Sequence, residues 1–268
     1  MPGLSFLQWN IGNFDVRPRL PGRGYRGMAY THASASRDED LGAIAGVIRA
    51  EAPDLVTLQE VVVREDHHRR LAEAAGYEVA AAGTADYRHT QALLIKPGRA
   101  SVLGSLSPPP GVNGVGVRLK RSDDGRELAV FSNHSDAGIH TRERAAQHRA
   151  LAAWAAELSR ERPFLMGGDF NFDDAPGSLH YAAEKLRAVL PVLPKLVSGD
   201  WAADREALAV LRGRLRDLAE EKGPTSGAPR SWPRILLPLG LPLIPLAWAL
   251  GVSRLRSRLD YVFASAPL

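Results

Sequence analysis

Apolar residues fall in short runs separated by polar, glycine-rich and proline-rich stretches, and the runs predict alternating strands and helices. "LSFLQWNI" (4–11) and "DLVTLQEV" (54–61) are short and apolar enough for buried strands. Residues 12–36 between them are rich in Gly, Pro and Arg, which is the composition of a loop. Ser36 and Glu39 have the spacing of a capping box, Leu41, Ile44 and Ile48 recur on one helical face, and Pro53 closes that helix. A further helical stretch follows the second strand and ends near Gly76.

The middle of the chain is rich in strands. "TQALLIK" (90–96), "ASVLGSL" (100–106), "GVGVRLKR" (114–121) and "RELAVFSNH" (126–134) each read as one, and Asp124-Gly125 favours a tight hairpin between the last two. The Ala-rich stretch 141–162 predicts a helix ended by Pro163. "PFLMGGDFN" (163–171) predicts a strand that breaks at its glycine pair, and a second long helix covers 202–221. Strands in both halves with helices between them predict two sheets packed face to face with helices outside. A doubly wound parallel sheet is the alternative, since several strands are apolar on both faces. The 268 residues suffice for one large core, so a single domain over 1–268 is expected.

Residues 235–251, "ILLPLGLPLIPLAWALG", carry no charge and sit at the lower length limit of a membrane span. Pro238, Pro242 and Pro245 each remove a backbone donor and argue against a straight helix. The expected form is an apolar insertion packed on the domain, with docking to a membrane surface or a partner as the alternative.

Composition narrows the chemistry. The chain is 45% hydrophobic and 24% charged, as in ordinary globular proteins, with a net charge of +4 and a pI near 9.6. A basic balance admits anionic partners without proving one. The absence of cysteine excludes disulfides, zinc-thiolate sites and a thiol nucleophile. "MPGLSFLQWN" shows no basic stretch followed by an apolar run, so no signal peptide is evident and a cytoplasmic location is expected, peripheral to membrane if 235–251 docks there.

Polar residues stand at the ends of apolar strands: Asn10 after "LQW", Glu60 after "VTLQ", and Asp169 with Asn171 after "FLMGG". A strand end presents such side chains to a cleft shared with its neighbours. Carboxylate and amide oxygens are hard ligands that suit Mg²⁺ or Mn²⁺ better than zinc. Taken singly, each is equally readable as a turn former.

Taken together, "WNIGNF", "PDLVTLQEV", "FSNHSDAG" with "RERAAQHRAL", "MGGDFNFDD" and "RLDYVFAS" follow one order along residues 6–265. That order resembles the endonuclease/exonuclease/phosphatase superfamily of metal-dependent phosphoesterases. The resemblance implies a four-layer α/β/β/α sandwich. It implies a divalent ion, Mg²⁺ with Mn²⁺ as the alternative, held by Glu60 with support from Asn10, which would also support the phosphate. Asp169 would orient or deprotonate the attacking water, Asn171 would hold that water or a phosphate oxygen, and His134 would donate to the phosphate. Asp260 corresponds to the residue that orients the family's last histidine. The substrate implied is a phosphoester, with nucleic acid favoured; a lipid or inositol phosphate hydrolase at a membrane is the second reading.

Other polar residues carry weaker expectations. Tyr87, Arg88 and His89 read as an exposed loop or a groove wall, and His67 and His68 as solvated. Arg144 and Gln147 read equally as packing beneath His134 and as substrate contacts.

One departure stands out. Family members end with a strand carrying "SDH", whereas no histidine follows His180 in this chain. The expectation is a missing C-terminal end, with weak activity and an exposed apolar edge at "LDYVFA". A catalytically impaired phosphate-binding module is the third reading.

Overall fold

Along the inner strands, alternate side chains enter two different cores, and this alternation builds the layers. The computed structural model describes residues 4–11, 38–62, 66–83, 89–135, 141–171, 201–218, 226–227, 256–257 and 260–265. One sheet contains β1 (Phe6–Asn10), β2 (Leu55–Val62), β3 (Glu78–Ala82) and β4 (His89–Ile95) in the order β1-β2-β4-β3. The other contains β5 (Ala100–Leu106), β6 (Gly114–Arg121), β7 (Glu127–His134), β8 (Phe164–Asp169), β9 (Arg216–Asp217) and β12 (Asp260–Ala264) in the order β5-β6-β7-β8-β12-β9. A short pair, β10 (Ser226–Gly227) and β11 (Arg256–Ser257), stands apart from both.

Helices α1 (Asp38–Glu51) and α2 (His67–Ala75) cover the first sheet, where Ile44, Ile48 and Leu71 pack on Val56, Leu58 and Leu94. Helices α3 (Thr141–Glu161) and α4 (Trp201–Arg214) cover the second, where Leu151, Leu208 and Leu211 pack on Phe131, Phe164 and Tyr261. Between the sheets Leu55, Leu93, Val117, Val130 and Leu165 form a third core. The result is the expected α/β/β/α sandwich. Both sheets are mixed: β1 pairs with β2, and β7 with β8, in parallel, while the other ladders are antiparallel. A wholly parallel, doubly wound sheet is therefore excluded.

Several elements differ from the sequence reading. The glycine pair does not break its strand: Gly167 and Gly168 pair with Ser132 and Asn133 on one side and with Val262 and Tyr261 on the other. Their role is close approach. A Cβ on Gly167 would lie 2.5 Å from Thr57 Oγ1 and 2.7 Å from Phe6 Cζ, in the opposing sheet. Strand β3, rich in alanine, lacks the apolar run by which the other strands announce themselves. The last helix ends at Arg214 rather than 221, because Arg216 and Asp217 pair with Ala264 and Phe263 of β12. Leu218 N–H also donates to the Val262 carbonyl, so β9 and its successor cover part of the edge expected to be bare. His67 is buried rather than solvated, since it shares the inner face of α2 with Leu71, Ala72 and Ala75.

The Asp124-Gly125 hairpin forms as predicted, with Gly125 at φ 69° and Arg121 N–H bonded to the Arg126 carbonyl. The loop 12–36, the Ser36 cap, Tyr87, Arg88 and the apolar segment 235–251 lie outside the described residues. Among the described residues no helix is long and apolar enough to cross a membrane.

Candidate active site

The alternation that fills the central core also carries four polar residues to one end of it. In β1, Phe6 and Gln8 face the second sheet, and Asn10 continues that face. In β7 the inner face runs through Leu128, Val130 and Ser132 to His134, and in β8 through Leu165 and Gly167 to Asp169. Glu60 needs a separate cause. Leu58 and Val61 both pack toward the helices, and the β2–β4 register shifts between them, so Glu60 is the extra residue of a bulge. Its φ of 56° is left-handed, and this re-aims a side chain that strict alternation would send elsewhere.

The four meet. Asn10 Nδ2 donates to Glu60 Oε1 at 3.0 Å and to Asp169 Oδ2 at 2.8 Å. His134 Nε2 lies 3.8 Å from Glu60 Oε1. One ligand atom from each of Glu60, His134 and Asp169 lies within 4.8 Å of the others. His134 and Asp169 are buried and Glu60 is half-buried. Two carboxylates held this close repel each other, and a cation bound between them would relieve the repulsion. Hard oxygen donors beside one imidazole fit a divalent metal ion. The sequence reading assigned His134 to the phosphate, whereas its position is equally that of a ligand.

Asn171 follows directly. Its φ of 51° is left-handed, its backbone N–H donates to Asp169 Oδ1 at 2.8 Å, and its Nδ2 donates to the Ser135 carbonyl at 2.8 Å. Glu60 and Asn171 are two of the four non-glycine residues with positive φ among the described residues. Strained backbone concentrated at one place is a mark of a functional site. Asp260 stands in register opposite Asp169, which is itself in register with His134, so the three occupy one row across β12, β8 and β7.

Beneath this row runs a polar layer that sequence reasoning missed. Gln8 Nε2 donates to Gln59 Oε1 at 2.6 Å, and Gln59 Nε2 donates to Ser132 Oγ at 2.9 Å, which ties the two sheets together just below Glu60. Asn133 Nδ2 donates to Ser135 Oγ, which lies 2.9 Å from His148 Nε2 on α3. The available signal for His148 was its place on the apolar stripe Ala145, His148, Leu151, Ala152, Ala155. Arg144 lies on the same face and is fully buried. That burial favours packing over substrate contact. Burial, with the nearby Arg144 charge, pushes the His148 pKa down to about 3, and the Phe170 backbone offsets this only weakly.

Comparison with known proteins agrees with this fold. Similar folds occur in a zebrafish (D. rerio) TDP2 complexed with single-strand DNA product, in the human Nocturnin catalytic domain with bound sulfate, and in a mannosyl-6-phosphatase from Bacteroides thetaiotaomicron. The TM-scores are 0.56, 0.59 and 0.58 at 17%, 16% and 16% identity. The matches cover 99%, 99% and 98% of this chain, and 86%, 82% and 86% of those chains. At these identities the likeness concerns the fold. No curated protein matches the chain. Residues 7–268 match the Endonuclease/Exonuclease/phosphatase family, and the chain belongs to that family.

Proposed function

We propose that this protein is a divalent-metal-dependent phosphoesterase that hydrolyses phosphodiesters, with Mg²⁺ as its ion and nucleic acid or a nucleotide-like ester as its substrate. The observation that carries the reading is the convergence of Glu60, His134 and Asp169 within 4.8 Å, bridged by Asn10. Members of the family hydrolyse phosphoester bonds. The basic net charge of +4 supports an anionic substrate such as nucleic acid, and the zebrafish neighbour with DNA product is in line with that choice.

In this reading Glu60 is the direct metal ligand, and Asn10 holds the Glu60 and Asp169 carboxylates with one amide nitrogen. A bound divalent ion would supply neutralisation of the negative charge that builds on the phosphoryl oxygens. Asp169 accepts a proton from the attacking water and orients it. Its Oδ1 is anchored by the Asn171 N–H, which leaves the carboxylate little freedom to rotate. Asn171 and His134 contact the phosphate oxygens, and Asp260, in the same row, completes the polar end of the second sheet. Positioning of this kind contributes roughly 7–11 kcal/mol in favourable cases, so the fixed geometry matters as much as the residue types.

The test is hydrolysis of single-stranded DNA and of bis(p-nitrophenyl) phosphate with Mg²⁺ and with EDTA. Metal-dependent cleavage of either diester is expected. Cleavage of p-nitrophenyl phosphate alone would make the protein a phosphomonoesterase, and metal binding without turnover would make it a phosphate-binding module.

A further inference from the structure

Between the proposed site and helix α3 lies a buried polar relay that none of the assigned roles uses. Ser135 is its hub. The Ser135 N–H donates to the Asp169 carbonyl at 2.9 Å, and the Ser135 carbonyl accepts from Asn171 Nδ2 at 2.8 Å. Ser135 therefore grips both ends of the Asp169–Asn171 turn through its backbone. Its hydroxyl points the other way, accepting from Asn133 Nδ2 at 3.0 Å and meeting His148 Nε2 at 2.9 Å. The hydroxyl accepts from Asn133 and keeps its own proton free to donate to Nε2, in the tautomer where the imidazole is the acceptor there.

The surroundings hold His148 in place. It is fully buried, 5.3 Å from the Phe170 ring, and Phe170 in turn packs edge-on against Tyr261 and Phe263. Phe170 is the residue between Asp169 and Asn171, so the same imidazole touches the turn from below through that ring and steadies it from the side through Ser135. Nδ1 interacts with the Phe170 backbone without reaching ordinary hydrogen-bond geometry, so the Ser135 contact is the ring's one well-formed polar bond. The other residues of that face of α3, Ala145, Leu151, Ala152 and Ala155, are buried and apolar. A buried polar ring there therefore calls for a different reason.

We propose that His148 is a positioning residue for the active site: through Ser135 it fixes the Asp169–Asn171 turn, and with it the water and phosphate contacts that turn provides. The inference rests on the functional reading above. Groups behind a site that orient those in front of it are commonly worth a factor of 10 to 100 in metal affinity or activity.

The experiment compares the full chain with His148→Leu, His148→Gln and Ser135→Ala, using Mg²⁺ and bis(p-nitrophenyl) phosphate, with a thermal melt to confirm that each variant is folded. His148→Leu is expected to lower kcat about 10- to 100-fold with KM little changed, as loss of a group behind the site does. Ser135→Ala, which keeps the backbone grip, is expected to fall in the same direction. His148→Gln offers an acceptor oxygen near the Nε2 position and is expected to recover most of the rate. A wild-type kcat in His148→Leu, or equal loss in the Leu and Gln variants, would overturn the proposal. If the unaltered chain hydrolyses neither ester, the functional reading fails by itself. The relay is then read from Mn²⁺ binding by electron paramagnetic resonance. Weaker binding in His148→Leu restored in His148→Gln supports it, and equal affinity in all three refutes it.

Discussion

Asn10 donates to Asp169 at 2.8 Å although 159 residues separate them in sequence. The bond crosses from the edge strand of one sheet to the middle of the other, and its donor nitrogen also holds Glu60. Asn10→Ala removes both contacts at a half-buried position. The expected result is a fall in kcat/KM of about 10- to 100-fold. Two half-buried hydrogen bonds together contribute about 2 kcal/mol to folding, so the melting temperature should fall by only about 4–8 °C. Steady-state kinetics beside a thermal melt would check the separation, and a large melting shift with unchanged kcat/KM would count against it.

Gly167 is a point of close approach between the two sheets. An alanine Cβ there would meet Thr57 Oγ1 at 2.5 Å and Phe6 at 2.7 Å. Overpacking of this kind costs about 1–3 kcal/mol, so Gly167→Ala should lower the melting temperature by about 2–4 °C for each kcal/mol. Gly213, on α4, has no atom within 4 Å of its would-be Cβ, and Gly213→Ala is the control expected to melt no lower than the unaltered chain. Equal melting of the two variants would show that the sheets can separate without cost.

His148 gives stability a specific pH dependence. Its folded pKa of about 3 lies below the ordinary 6.5, so between those values the unfolded chain binds a proton that the folded chain refuses. Stability contributed by the neutral ring is present above pH 6.5 and is lost as pH falls toward 3. The slope is at most about 1.4 kcal/mol per pH unit. Asp54 acts in a lower window: burial raises its pKa, but bonds from Arg99 and Ser5 outweigh that and hold it below 3.8. His68, lowered chiefly by burial, has the same sign as His148. Urea unfolding of the unaltered chain and of His148→Gln from pH 7 to pH 4 isolates the His148 part. The variant should show the shallower decline, and identical slopes would refute the assignment.

The sandwich was readable from the sequence because strands cluster in both halves of the chain with helices between them, and the helices carry stripes and punctuation, as Leu41, Ile44, Ile48 and Pro53 do. Asn10, Glu60, Asp169 and Asn171 were readable because a polar residue at the end of an apolar strand must face a cleft or a turn, whereas His134 stood out only through the order of motifs that resembles the family. What was hidden depends on contacts distant in sequence. Gly167 and Gly168 look like a break until the opposing Thr57 and Phe6 are seen. Glu60 reaches the site through a bulge that no local pattern announces. His148 looks like one more residue of a long helix until Ser135 meets it. Strand β9 has two residues, too few for any periodicity, and exists because β12 offers it an edge.

The most direct test of the account is hydrolysis of bis(p-nitrophenyl) phosphate by the unaltered chain and by Glu60→Gln, each across a Mg²⁺ titration. Glu60→Gln keeps the size and the Asn10 contact but removes the charge that would hold the cation. The account predicts Mg²⁺-dependent turnover that EDTA abolishes, with Glu60→Gln requiring more Mg²⁺ and remaining at least about 100-fold slower, as expected when a charge-stabilising group is lost. Turnover indifferent to Mg²⁺, or equal in the two proteins, would contradict it.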